Sequence, residues 1–528
     1  DTLTGEVKEK TVDLLVLSTA IVPASGNKKL GKILGIEVDE NGFFKEQSLL
    51  LNPVKSTKDG IFLAGCAQGP KDIPDSVSMA SGAAAEAVAL VKDRERKIGK
   101  EFPEERDVSK EEPRIGVFVC HCGKNIAGFL DVKRVVEHAK GLKNVVHAED
   151  LLFACSEDSC RRIKEIIKEK KLNRIVVAAC SPTTHAPLFQ DILREAGLNK
   201  YLFEMANIRN QCSWVHSDYE EATRKAMDLV RAAVAKARLL KPLHEERFPV
   251  KDKVLIIGGG VSGMTSALSL ARMGIRSVII EKEDELGGRL RDLYTLFPSD
   301  IKAEDVIKPL IEEVRKNKLI EVLTKSQLVD LEGFIGNYTA RIKQDGKERK
   351  IEVGTIIVAT GCREIDIGSE YSYGKDERII SQIDLEKKIK NGELKKVDTI
   401  VFINCVAALD EKHPHCCRVG CGVSIKNAKL IKQMFPDSKV YILYKDMRIF
   451  GKREEEYYGE VIGKYGVITI RYGDRKPEVI PQKDKVKVRV FDEIMREEVE
   501  IPADLVVLTI NLQGESLTEK LKQILKVP

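Results

Sequence analysis

Neither sign of charge dominates this chain of 528 residues. Its 87 lysines and arginines face 82 aspartates and glutamates, a formal net charge of +5, with both signs interspersed. That balance excludes a nucleic-acid binder driven by bulk charge. No apolar run reaches about 18 residues, so no membrane span is expected. A secretory signal is missing as well, and a cytoplasmic setting is expected. Tryptophan occurs once, at Trp214, which is expected to sit in a core rather than relay electrons.

What is present is a globular balance, 43% hydrophobic and 32% charged residues. At 59.0 kDa the chain is too long for one core, and two to four domains are expected. Its 12 cysteines are clustered rather than scattered. Without an export signal, clustered thiols point to metal or redox chemistry before a disulfide framework.

Residues 1–93 read as strands at Thr11–Thr19 and Gly60–Gly65, then a helix over Ser76–Val91 rich in small residues. Residues 94–114 form a charged linker. From 115 to 242 apolar runs at Ile115–Cys120, Leu151–Cys155 and Ile175–Cys180 alternate with helical stretches, Glu157–Lys171 and Glu220–Leu240 among them. That alternation predicts a parallel α/β sheet. A second α/β region covers 250–528. Near its end Ala503–Thr509 (ADLVVLT) repeats Val12–Ser18 (VDLLVLS) at an offset of 491 residues. The repeat predicts a fragment spanning about one period of a longer tandem protein. On that reading 1–93 ends a preceding module and 250–528 is a module incomplete at its C-terminus, unless the early residues close it as in a circular permutant.

Gly258, Gly260 and Gly263 form G-x-G-x-x-G between a Val-Leu-Ile-Ile strand and an Ala/Ser/Leu helix. Such glycines allow a tight turn and let a pyrophosphate reach the helix N-terminus. Glu281 ends the next strand, where a carboxylate can bond a ribose hydroxyl. Gly287, Gly288 and Arg289 follow, then the strand Thr355–Gly361 with Thr360 and Gly361 at its end. This series resembles the FAD domain of two-dinucleotide flavoproteins such as thioredoxin reductase. Ile61–Gly65 with the helix after it resembles the closing motif of that family, which would bring Gly65 near the flavin. The family's second glycine motif should follow the strand Val397–Asn404. Cys405-Val-Ala-Ala-Leu stands there instead and cannot cradle a phosphate, so the NAD(P)H site is replaced.

Cys405, Cys416, Cys417 and Cys421 lie within 17 residues, in an inserted region spanning 395–425. They suit an iron–sulfur cluster, a zinc ion that His413 or His415 could also serve, a Cys417–Cys421 dithiol, or buried free thiols. In the middle region Cys120, Cys155 and Cys180 end predicted strands and can converge at the carboxyl edge of one sheet. Cys122 or Cys212 would supply a fourth ligand, with Cys160 a bystander; buried free thiols are the alternative. Cys66 and Cys362 are expected to pack, and His185 and His216 to be supporting or surface residues.

The strings RIGVFVCHCG, ACSPTTHAPLF, NIRNQCSWVH and LAGCAQGPKDIPDS resemble, in permuted order, the A-type subunit of heterodisulfide reductase. The fold so implied is a thioredoxin-reductase-like two-dinucleotide-binding flavoprotein plus a smaller parallel-sheet α/β iron–sulfur domain. The resemblance implies FAD and [4Fe-4S] clusters in an oxidoreductase component of anaerobic metabolism such as methanogenesis. It implies electron bifurcation, in which a two-electron donor feeds a disulfide branch and a ferredoxin branch. Implied partners are other heterodisulfide reductase subunits, a hydrogenase or formate dehydrogenase as donor, and ferredoxin, within a hetero-oligomer. The alternative is a stand-alone FAD-dependent disulfide oxidoreductase using Cys417 and Cys421.

Overall fold

A computed structural model describes residues 7–91 and 102–527. They fall into two compact units, Arg96–Arg247 and a larger one formed by Asp1–Glu95 with Phe248–Pro528.

The middle unit is an open parallel sheet in the order Val145–Leu151, Ile115–Cys120, Arg174–Ala179, Phe203–Asn207. Ile115–Cys120 and Arg174–Ala179 are buried along their length, because helices cover both faces. Asp131, Ser156, Ser181 and Asp218 each accept a backbone N–H and so start one of those helices. The apolar run Leu151–Cys155 is not a strand beyond Leu151. The strand is the preceding Val145–Leu151, an edge strand whose His147, Glu149 and Asp150 break its apolar pattern. Of the charged stretch 94–114, residues 94–101 lie outside the described residues. The remainder packs on this unit: Val108 is fully buried and Arg106 donates to the Leu172 carbonyl.

The larger unit holds two parallel sheets. The first runs Thr355–Val358, Lys253–Ile257, Arg276–Ile280, Ile320–Leu323, and a three-stranded antiparallel sheet within 326–353 packs on it. The second runs Ile379–Ser381, Leu505–Ile510, Thr399–Val406, Lys439–Tyr444, Ile468–Arg471, again with a three-stranded antiparallel partner. In that partner Val486–Asp492 alternates buried and half-buried positions, the period of two that a strand with one covered face requires. The antiparallel pair Cys362–Glu364 and Leu512–Gly514 ties the halves together.

The early residues pack on this unit. The helix Ile73–Val91 lies beside Val261–Arg272, with Glu86 paired to Lys55 and Arg272. Lys452 is buried against Asp39 at 2.5 Å and donates to the Gln68 carbonyl. Thr11–Thr19 is not a strand: it is exposed, Leu14 by 78%. The slot its sequence suits, between Ile379–Ser381 and Thr399–Val406, is filled by its own repeat, Leu505–Ile510. Gly60–Gly65 contributes only one bridge, Phe62 to Lys55. Among the described residues no helix is long and apolar enough to cross a membrane.

Candidate functional site

Lys253–Ile257 runs straight into the glycine turn. Gly258 stands at φ +114°, and a Cβ there would meet the Ala359 carbonyl oxygen at 2.3 Å, so only glycine passes. A Cβ on Gly263 would lie 2.0 Å from the Gly258 oxygen, which brings the helix hard against the turn. At Gly260 nothing lies within 4 Å of that position. The opening sits at the start of the helix Val261–Arg272, where free N–H groups and the dipole favour a phosphate.

A cavity of about 870 Å³ opens there, lined by Gly258, Gly260, Glu281, Gly287, Gly288, Arg289, Thr360 and Gly361. Glu281 is buried and accepts the N–H of Gly259 at 2.7 Å and of Glu283 at 2.9 Å. One carboxylate thus fixes the glycine turn and faces the cavity. Gly263 packs beneath it. Gly65, at φ +58° beside Ser76 on the docked early segment, is not among the lining residues.

A second cavity of about 480 Å³ shares Arg289, Leu290 and Cys362 with the first. Its wall includes Cys417, Arg418, Val419 and Gly420, and also Lys426 and Glu386. Those last two form an ion pair with side chains 2% and 0% exposed. Lys426 also donates to the Thr295 carbonyl at 2.9 Å, and Glu386 accepts the Tyr294 N–H at 2.8 Å. Burial pulls the Lys426 ammonium down while Glu386 pulls it up. Burial also pushes Glu364, in the same wall, above the usual carboxylate range. No sequence spacing marks Lys426 or Glu386 among so many lysines and glutamates; only their burial does.

The strand Thr399–Val406 ends in a left-handed series where a glycine motif would stand: Cys405 at φ 61°, Ala407 at 52°, Leu409 at 55°. Each such residue costs about 1–3 kcal/mol and persists only when its surroundings hold it. Asn511 donates to the Ala407 carbonyl at 2.8 Å and Lys445 to that of Leu409 at 3.0 Å. Behind the loop, Asn404 accepts from Ser424 at 2.5 Å and Thr509 at 2.8 Å, and Gln382 donates to both hydroxyls. This buried network fixes the helix Gly420–Met434, which carries Cys421, against the strand that carries Cys405.

The thiols of Cys405, Cys416, Cys417 and Cys421 are close enough to act on one another. Burial first, then the neighbouring sulfurs, push Cys405 and Cys417 up and Cys421 to about 12. Backbone N–H groups point at them: Arg418 to Cys416 and Gly420 to Cys417, both at 3.3 Å, Lys445 and Asp446 to Cys405, Arg448 to Cys421. Donors so placed favour sulfur in its charged or metal-bound form.

In the middle unit Cys120 accepts N–H groups from Cys122 at 3.2 Å and Ala154 at 3.3 Å. Burial and then Cys122 and Cys155 push Cys120 up; the same two neighbours act on Cys180. Cys120, Cys122, Cys155 and Cys180 therefore gather. Cys212 does not join them: it packs in the core of the opposite sheet face and donates to the Ala222 carbonyl at 3.0 Å, and burial raises it to about 11. Cys160 couples only to Cys155 among the thiols.

Trp214 is not a core residue: it is 55% exposed, at the end of the turn Arg209–Ser213, with the Arg209 guanidinium 4.7 Å from its ring. Cys66 is exposed as well, because its short turn leaves the sulfur outside the packed segment. All twelve cysteines are free thiols. Among the described residues no three His, Cys, Asp or Glu side chains are arranged to hold a single metal ion. The thiolates of an iron–sulfur cubane bind four different irons and stand further apart than four ligands on one ion. Four neighbouring thiols with N–H donors around them are the kind of donor set that an iron–sulfur cluster takes.

Residues 252–524 match the family model of the pyridine nucleotide-disulphide oxidoreductases. In Methanothermobacter thermautotrophicus the A-type subunit of the H(2):CoB-CoM heterodisulfide,ferredoxin reductase is 37% identical over 513 residues, covering 80% of this chain and 78% of that one. The chain belongs to the family of heterodisulfide reductase A-type subunits. In Methanocaldococcus jannaschii the A-type iron-sulfur subunit of CoB--CoM heterodisulfide reductase is 34% identical over 508 residues, covering 78% and 77% of the two chains. Thioredoxin reductase of Lactococcus lactis aligns with 51% of this chain and 81% of its own at 18% identity and a TM-score of 0.37. This member of the heterodisulfide reductase family is an oxidoreductase with the thioredoxin-reductase-like flavoprotein fold, and its cofactor is a flavin.

Proposed function

We propose that this chain is the FAD and iron–sulfur electron-transfer subunit of a heterodisulfide-reductase-like complex. One observation carries the reading: the cavity over the glycine turn adjoins a second cavity, with Arg289, Leu290 and Cys362 in both walls, and Cys417 lines the second. A bound flavin supplies two-electron exchange that can be divided into single electrons, the currency of a cluster. Gly258, Gly260 and Glu281 would hold the nucleotide end. Arg289, Lys426 and Glu364 would surround the ring end. Cys405, Cys416, Cys417 and Cys421 would hold one [4Fe-4S] cluster, and Cys120, Cys122, Cys155 and Cys180 another.

Relatives carry ferredoxin in their names, and one from Methanosarcina acetivorans carries ferredoxin and F(420)H(2). Bifurcation from a hydrogenase- or formate-dehydrogenase-derived donor to ferredoxin and a disulfide fits a chain without an NAD(P)H motif. The alternative is a stand-alone FAD-dependent disulfide oxidoreductase using Cys417 and Cys421.

The test is anaerobic purification with FAD, iron and acid-labile sulfide counted per chain. About eight iron with matching sulfide and one FAD is the expected result. Flavin without iron overturns the reading and restores the dithiol reductase.

A further inference from the structure

Resting on the assignment of a cluster to the middle unit, we propose that Arg209 is the residue that sets the charge, and so the reduction potential, of that cluster. Arg209 opens a five-residue π-helical turn, Arg209–Ser213, directly after the last strand of the sheet. Such turns are rare and concentrate at functional sites. This one is pinned at both ends: Asn210 donates to the Asn207 side chain at 2.9 Å and Ser213 to the Asn125 carbonyl at 2.7 Å.

The turn aims the guanidinium at the gathered thiols. Nη1 of Arg209 lies 3.6 Å from Sγ of Cys122. Trp214 covers one face of the guanidinium. Nε is buried without a hydrogen-bond partner, and no carboxylate pairs with Arg209 among the described residues. Arg448, which faces Cys416 of the other group, makes the contrast. Its Nε is bonded to Asp446 at 2.9 Å and its side chain is 43% exposed, so water and a counter-charge screen it.

A half-buried positive charge without a paired carboxylate, held beside Cys122, stabilises the state with more negative charge. Reduction adds one electron to a cluster, so Arg209 makes the middle cluster easier to reduce. Arginine suits the role because it stays protonated and stacks on an aromatic face.

The experiment uses the full chain carrying Cys416→Ser, so that a single cluster titrates, purified anaerobically with iron counted. Electron paramagnetic resonance follows the potentiometric titration of the parent, Arg209→Lys, Arg209→Gln and Trp214→Glu. Arg209→Gln is expected to make the cluster about tenfold harder to reduce, a fall of about 59 mV for one electron. Arg209→Lys keeps the charge and holds the parent potential. Trp214→Glu leaves Arg209 in place but pairs it, and shifts the potential the same way by a smaller amount. The emission of Trp214, the only tryptophan, changes in Arg209→Gln as the stack is lost.

An iron-replete Arg209→Gln protein with the parent potential overturns the proposal. If that variant fails to load iron, Trp214→Glu decides: a lowered potential supports the role and an unchanged one overturns it. A parent protein whose iron survives Cys122→Ser fails differently, since the cluster assignment itself is then wrong.

Discussion

Lys426 and Glu386 form an ion pair almost without solvent, 2% and 0% exposed, in the wall of the cavity that Cys417 also lines. Two charges so buried stand in this fold only as a pair with further bonds, here from Lys426 to the Thr295 carbonyl and from the Tyr294 N–H to Glu386.

Lys426→Met leaves the Glu386 carboxylate buried and alone. Urea unfolding should show a loss of about 3–5 kcal/mol, and the double variant Lys426→Met/Glu386→Leu should recover most of it. Equal stability of the two variants would mean that the pair is not closed in solution.

Two neighbouring glycines should separate folding from flavin binding. Gly260→Ala places its methyl in open space, so the unfolding temperature should stay at the parent value. Bound flavin should fall by roughly tenfold, about 1.4 kcal/mol, because the methyl stands where the pyrophosphate approaches. Gly258→Ala meets the Ala359 oxygen at 2.3 Å and should lower the unfolding temperature itself. Flavin retained at full occupancy in a folded Gly260→Ala protein would place the nucleotide elsewhere.

Iron counts should divide the middle cysteines. Cys122→Ser should remove about four iron per chain and Cys212→Ser none, because Cys212 points into the core toward Ala222. In the larger unit Cys416→Ser should remove the other share. Iron lost on Cys212→Ser with the fold intact would return that thiol to the ligand set.

The junction of the early segment with the larger unit should weaken in acid. Burial pushes the Asp39 carboxyl up, but the Lys452 ammonium together with the N–H groups of Phe43 and Asn41 outweighs it and leaves Asp39 below its ordinary 3.8. A depressed carboxylate contributes stability above the unfolded pKa and loses it as pH falls through the folded one. The gap in unfolding temperature between the parent and Lys452→Met should therefore be full at pH 7 and shrink below about pH 4. A gap that stays constant across that range would assign the effect to packing of the lysine stem instead.

Local pattern was enough for the glycine turn and the strands around it. The glycine spacing, the acid at Glu281 and the strand ending in Thr360–Gly361 are contiguous features whose geometry is set within a few residues of backbone. The same holds for Ile115–Cys120 and Arg174–Ala179, central strands whose burial on both faces writes an unbroken apolar run. The edge strand Val145–Leu151 escaped because only one neighbour covers it. Trp214 was misplaced because a π-helical turn, invisible as a pattern, carries it out to solvent.

The sequence by itself determined the chemistry available: a dinucleotide turn and two groups of thiols. Only the tertiary structure decided which thiols meet, since Cys212 is turned into the core against Ala222 while Cys122 sits beside Cys120. It alone paired Lys426 with Glu386 across 40 residues. It also chose between two nearly identical segments, Val12–Ser18 and Ala503–Thr509, for one strand position. A central strand needs hydrogen-bonding neighbours on both sides. Those neighbours accept one segment, and the other is left exposed.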